Sequence, residues 1–171
     1  MKNKLIPLLA LATLLASNHS LALPEDRSKP IHISANSARI DDKTGVTHYK
    51  GDVSIRQGTL LIEAEQVELY RRNGDIDRLI ATSHRSAAHF RQKPTAEQPW
   101  TDAWGSKLEY EISKQSLTIS GNGKVQQGKD HFSGERIVYN IERSIVNAFG
   151  GKEGKGRVQM VIQPKAKAAD E

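Results

Sequence analysis

The chain has 171 residues, 25 basic against 20 acidic side chains for a formal net charge of +5, 37% hydrophobic and 5% aromatic content, and no cysteine. That length supports one domain, and the absence of cysteine excludes disulfide stapling. The mild, dispersed charge, without aromatic and basic residues interleaved, argues against nucleic-acid binding.

The first element is a signal for export. Lys2 and Lys4 precede an apolar run from Leu5 to Ala16, and Ser20 and Ala22 place small residues around a cleavage point. This is the pattern of a secretory signal peptide over residues 1–22, removed after Ala22. The run is short for a bilayer span, so it does not read as a retained anchor. No cysteine follows the site, which excludes a lipid-anchored form. Taking away Lys2 and Lys4 lowers the 25 basic residues to 23 against 20 acidic, a net charge of +3.

From Leu23 onward the helical period is nearly absent and period-two alternation takes over. Ile31, Ile33 and Ala35 alternate with His32 and Ser34, and Val53 and Ile55 with Asp52, Ser54 and Arg56. Leu60, Ile62 and Ala64 share one face before the phase shifts to Val67 and Leu69. Leu108, Tyr110 and Ile112 follow, then Leu117 and Ile119, and finally Val158, Met160 and Ile162. Turn residues separate these runs at Asp42-Lys43-Thr44-Gly45, Gln57-Gly58, Asn73-Gly74-Asp75, Gly121-Asn122-Gly123 and Gly128-Lys129-Asp130. The spacing predicts about sixteen short strands in an all-β antiparallel sandwich or roll, each sheet with one dry and one wet face. Residues 92–103, with Pro94 and Pro99, divide the chain into halves at about 31–91 and 104–163; residues 164–171 form a polar tail. Gly123 stands where an aliphatic residue would extend its strand, which predicts a looser hairpin there. The glycines from Gly150 to Gly156 lack the strand-loop-helix context of a phosphate loop and read as a long turn.

The halves repeat. Seventy positions after Ile55, Gln57-Gly58, Ile62, Glu65 and Val67 stand Val125, Gln127-Gly128, Phe132, Glu135 and Ile137. A doubled sheet unit can stack into a longer roll with a continuous apolar interior and free strand edges at both ends.

No catalytic constellation accompanies this pattern. His32, His48, His84, His89 and His131 have no metal-ligand spacing, so no metal or other cofactor is expected. Glu63 with Glu65, and Glu109 with Glu111, alternate against apolar neighbours and so face outward rather than into a hydrolytic cleft. No enzyme is expected. Two alternatives stay open: a carbohydrate-binding sandwich, for which Trp100 and Trp104 are the only tryptophans, and a jelly-roll glycosidase.

The stretches Lys29–Asp41, Tyr49–Tyr70, Ala81–Gln92 and Gly105–Gly128, with the later run from Gln127 to Tyr139, resemble the OstA-like family of periplasmic lipopolysaccharide transport proteins. The resemblance covers nearly all of the chain after residue 22. It implies an open, V-shaped antiparallel β-jelly roll of two sheets, located in the periplasm. It also implies a carrier that shields lipid A between an inner-membrane export complex and an outer-membrane translocon, with no catalysis and no cofactor. Copies would join head to tail and meet the membrane components by strand addition. The lipid-contacting positions carried over are Ile31, Phe90, Tyr110 and Ile112. Alternation adds Ile33, Ile40, Val53, Ile55, Ile62, Ile119, Phe132 and Tyr139, for which ordinary sandwich core is the competing role. The edges for assembly are Ile31 and Ile33 at the start, and Val158, Met160 and Ile162 at the end.

Overall fold

The computed structural model describes residues 25–151 and 156–164. The expected signal peptide, the tail from residue 165 and residues 152–155 of the glycine-rich turn lie outside the described residues. A single helical turn, α1 (Glu25–Ser28), precedes β1 (His32–Ser34), β2 (Ser37–Asp41), β3 (Val46–Gln57), β4 (Leu60–Arg72), β5 (Asp75–Thr82) and β6 (Ala88–Gln92). Then come β7 (Thr101–Gly105), β8 (Lys107–Glu111), β9 (Ser116–Gln127), β10 (Asp130–Asn140), β11 (Ile145–Phe149) and β12 (Gln159–Val161).

All pairings are antiparallel, and they make two leaves that share four long strands. Leaf A runs β1-β3-β4-β6-β7-β9-β10-β12. Leaf B runs β2-β3-β4-β5-β8-β9-β10-β11. The shared strands β3, β4, β9 and β10 bend from one leaf into the other. This is the two-sheet roll expected from the alternation. There are twelve strands among the described residues, where the alternation suggested about sixteen. Each of the four long strands keeps its pairing through the bend, so its two legs form one strand.

The bends are bulges built from left-handed residues. Between the pairs Lys50–Gln66 and Val53–Ala64, Gly51 and Asp52 face a single residue, Glu65. Gly121 and Asn122 face Glu135 in the same way between the pairs Gly123–Gly134 and Ser120–Arg136. Gly51 has φ 79 and Asp52 φ 46; Gly121 has φ 74 and Asn122 φ 56. Glycine, asparagine and aspartate adopt this region at least cost, and a bulge there turns the strand. The backbone links each bend to the neighbouring corner: Asn36 N donates to Gly51 O at 2.9 Å and Ser106 N to Gly121 O at 3.0 Å.

The seventy-residue repeat is thus structural, with β1, β2, β3, β4 and β6 reproduced as β7, β8, β9, β10 and β12. Only β11 breaks step, because a tighter turn sets Val146 rather than Phe149 opposite Tyr139, where β5 sets Leu79 opposite Leu69. The counterpart of β1 is β7, which starts at Thr101, inside the segment the sequence left as linker. Its inward residues, Thr101, Ala103 and Gly105, are small and give little hydrophobic alternation. Gly123 does not loosen its hairpin either. It is paired with Gly134, and a Cβ there would stand 3.2 Å from both the Gly134 carbonyl and Ile119 Cγ2. Neighbours already fill the space, so the strand runs on through residue 127.

Candidate lipid-binding interior and sheet ends

Because side chains alternate across a strand, aligned registers carry inward-facing residues across each leaf as continuous rows. In leaf A one row reads Ile33, Ile55, Ile62, Phe90, Ala103, Val125, Phe132 and Met160 across all eight strands. In leaf B one row reads Ile40, Thr47, Leu69, Leu79, Tyr110, Leu117, Tyr139 and Val146. Ile119 sits in the next leaf B row, between Leu108 and Ile137. Val53 is buried opposite Ala64 beside the bend. Ile112, half-buried, lies just past β8, where its N–H donates to Asp77 O at 3.0 Å.

The rows are covered in the middle and less covered toward the ends. Phe90 is 0% and Tyr110 5% exposed, and their rings meet edge-on at 5.6 Å, tying leaf A to leaf B. Val53, Ile55, Ile62, Ile119 and Tyr139 are buried with them, and Ile33, Phe132 and Ile112 pack against that cluster half-buried. At one end Ile31 and Ile40 are exposed, the latter 60%; at the other Val158, Met160 and Ile162 are exposed, Met160 by 55%. Ile31 lies just before β1, and Val158 and Ile162 flank β12, so only Ile33 and Met160 of the edge set take ladder positions. The two parts of that set stand at opposite ends of leaf A.

The alternation missed that each end offers two strands. Among the described residues, beside β1 stands β2, paired only with β3, and beside β12 stands β11, paired only with β10. The signal was present in Ile40 and Val146, which are the two ends of one row.

Burial pushes the Tyr110 hydroxyl above its ordinary value, Arg27 works against that rise and Asp26 adds to it. Burial also raises Tyr139, opposed by the neighbouring polar groups of Thr101, Gln127 and Ser144. Both phenols therefore stay neutral at physiological pH. Among the described residues no group of three or more His, Asp or Glu is placed to hold a metal. No described helix is long and apolar enough to cross a membrane.

Charged residues sit outside, concentrated where the halves join. His89 Nε2 lies 2.8 Å from Asp102 and its Nδ1 3.5 Å from Glu63, while its ring stacks on Trp104 at 5.1 Å. Arg78 pairs with Glu109 at 3.2 Å and lies over the Tyr70 ring. These contacts seal β6 to β7 and β5 to β8.

Residues 32–145 match the family described as LptA/(LptD N-terminal domain) LPS transport protein. The chain belongs to this family. Among its relatives, the lipopolysaccharide export system protein LptH of Pseudomonas aeruginosa is 39% identical over 173 residues, covering 97% of each chain. The lipopolysaccharide export system protein LptA of Escherichia coli is 31% identical over 156 residues, 91% of this chain and 83% of that one. The crystal structure of LptH, described as the LptA-homologous periplasmic component of the lipopolysaccharide transport device of P. aeruginosa, superposes with a TM-score of 0.74 at 35% identity. That match covers 82% of this chain and all of the other.

Proposed function

We propose that this LptA-family chain is a periplasmic carrier of lipopolysaccharide, acting without catalysis or cofactor. In this reading the inner rows shield the acyl chains of lipid A while the sugars stay in solvent. The lipid-contacting residues are Ile31, Ile33, Ile40, Val53, Ile55, Ile62, Phe90, Tyr110, Ile112, Ile119, Phe132 and Tyr139. Copies join end to end and meet the inner- and outer-membrane parts of the machinery by strand addition.

The observation that carries the reading is that the leaf A row runs apolar across eight strands, from half-buried Ile33 at one end to exposed Met160 at the other. Each buried methylene contributes about 0.8 kcal/mol, so a lipid with several acyl chains costs tens of kcal/mol when left in water. An interior open at its ends extends that shelter from one copy to the next.

The inner joint is a template for the outer one. Phe90 faces Ala103 where β6 meets β7; moved on by the repeat, β12 of one copy meets β1 of the next with Met160 facing Ile33. Leu79 faces Tyr110 where β5 meets β8; the corresponding contact sets Val146 against Ile40, the two free ends of one row. The ion pairs of the inner joint have no counterparts. Where His89 and Asp102 stand, the outer joint has Gln159 and His32; where Arg78 and Glu109 stand, it has Ile145 and Arg39. Such a joint rests on backbone pairing and apolar rows, which suits reversible assembly.

A photo-reactive benzoylphenylalanine in place of Phe90 or Tyr110, introduced one at a time in cells, is expected to capture lipopolysaccharide. A folded protein that yields no adduct at either position would overturn the interior-binding reading.

A further inference from the structure

The interior reading places acyl chains among residues that are nearly inaccessible, and the structure shows what stands in the way. Away from the bends, both leaves end in hairpin tips that face each other across the mouth of the V. Two short segments cross it. The first is residues 25–29. On leaf A the Asp26 carboxylate accepts from Thr59 N at 2.8 Å, Thr59 Oγ1 at 2.5 Å and Gln92 Nε2 at 3.4 Å. Gln57 Nε2 donates to the carbonyls of Arg27 at 3.2 Å and Lys29 at 3.0 Å. On leaf B, Arg27 Nη2 donates to Ile112 O at 2.7 Å.

The hairpin tip is shaped around this segment. Gly58 has φ +57, and a Cβ on it would stand 2.0 Å from Asp26 Oδ1. Tyr110 of the inter-leaf ring pair lies close enough to feel the charges of both Asp26 and Arg27. The second crossing, residues 93–100, occupies the same place in the other half. Lys93 N donates to Thr59 Oγ1, Gly128 N to Trp100 O, and Gln98 Nε2 to Ser144 Oγ on a leaf B tip. The two differ in anchorage. The second has a strand at each end, β6 and β7, whereas among the described residues the first meets a strand, β1, on its C-terminal side. Its grip is wholly polar, part-buried at Asp26 and solvent-exposed at Gln57 and Arg27, so it can be released without breaking a strand pairing.

We propose that residues 25–29 are a latch that closes the mouth of the V over the Phe90–Tyr110 contact and swings away to admit acyl chains, with Asp26 on Thr59 as the catch. The inference rests on the interior-binding reading and names the gate to that same site. While the latch is shut, Asp26 and Arg27 hold leaf A tip to leaf B tip. With it open, nothing polar on this side joins the β3–β4 tip to the β8–β9 turn among the contacts described above, and the leaves can part enough for chains to slide between the rows.

The test uses the full mature chain and purified lipopolysaccharide bearing a diazirine on an acyl chain, with adducts mapped by mass spectrometry. The chain has no cysteine of its own, so a pair replacing Asp26 and Thr59 can be oxidised without side reactions. Oxidation is expected to lower adduct yield on the inner rows about tenfold or more, and reduction to restore it. The released variants Asp26→Ala and Arg27→Ala, paired in one chain, are expected to load about tenfold faster than the parent, the effect of about 1.4 kcal/mol off the barrier. Equal loading by oxidised, reduced and parent protein, with adducts still on the inner rows, overturns the latch and leaves interior binding standing. No inner-row adduct in the parent protein overturns interior binding and the latch together. Circular dichroism of each form checks the fold.

Discussion

Replacing Met160 by aspartate strikes the proposed joint while sparing the domain. Met160 is 55% exposed and is the last member of the leaf A row, opposite Phe132. Fully burying a methionine side chain contributes about 1.5–3 kcal/mol, so covering its exposed half in a joint contributes roughly 1–1.5 kcal/mol. An aspartate in its place loses that and sets a carboxylate opposite the apolar Ile33 of the next copy, a further cost of at least about 2 kcal/mol. Together these weaken each joint by about 3 kcal/mol or more, a rise in Kd of roughly a hundredfold. In the free domain the same side chain faces water, so the melting temperature is expected to stay nearly unchanged. Sedimentation velocity across a concentration series measures the first quantity and thermal unfolding the second. The register has its own check: cysteines replacing both Ile33 and Met160 should oxidise into a ladder of multimers, and a pair at Ile33 and Val161 should not. An unchanged Kd for Met160→Asp, or a stronger ladder from the second pair, would refute the joint.

Phe90→Ala removes a fully buried ring that ties the leaves, and is expected to cost about 3–5 kcal/mol in urea unfolding; a loss under about 1 kcal/mol would show that the leaves do not depend on this contact. Gly123→Val installs the residue that the first half carries at Val53, but at a place where Cβ would press the Gly134 carbonyl and Ile119. It is expected to lower stability by about 1–3 kcal/mol, and an unchanged melting temperature would contradict the packing described. Three tyrosines are raised above the ordinary value of 10.0: Tyr70 chiefly by donating to Glu68, Tyr110 and Tyr139 chiefly by burial. The folded state therefore keeps these protons longer than the unfolded chain. Their contribution is whole below pH 10.0 and is lost as pH rises through the higher folded values. The melting temperature should fall steeply above about pH 10, and a flat profile from about pH 9 to pH 11 would refute the assignment.

Period-two alternation, the turn residues and the repeat were enough to read an all-β doubled roll from the chain, because a half-dry strand must write its pattern locally. The inward parity of Ile33, Ile55, Ile62, Tyr110 and Phe132 was legible for the same reason, whereas Phe90 came from the family resemblance. So were the terminal edges at β1 and β12, since apolar alternation runs to both ends of the repeat. Strand β7 was hidden because its inward side is Thr101, Ala103 and Gly105, small residues that fit close to neighbouring strands rather than announce a face.

Other features depend on residues far apart in the chain, and only the tertiary structure decided them. The bend at Gly121-Asn122 looks like an ordinary turn in sequence and that at Gly51-Asp52 is not marked as one; pairing on both sides makes them corners where one strand serves two leaves. Gly123 reads as a weak rung until Gly134 and Ile119 are seen filling its space. Asp26 and Thr59 lie 33 positions apart, and Arg27 and Ile112 lie 85 apart, so nothing local marks the segment that spans the mouth. Alternation is a property of a strand and its two faces, and a short stretch records it. Closure across the mouth is a property of two leaves brought together, which no single stretch contains.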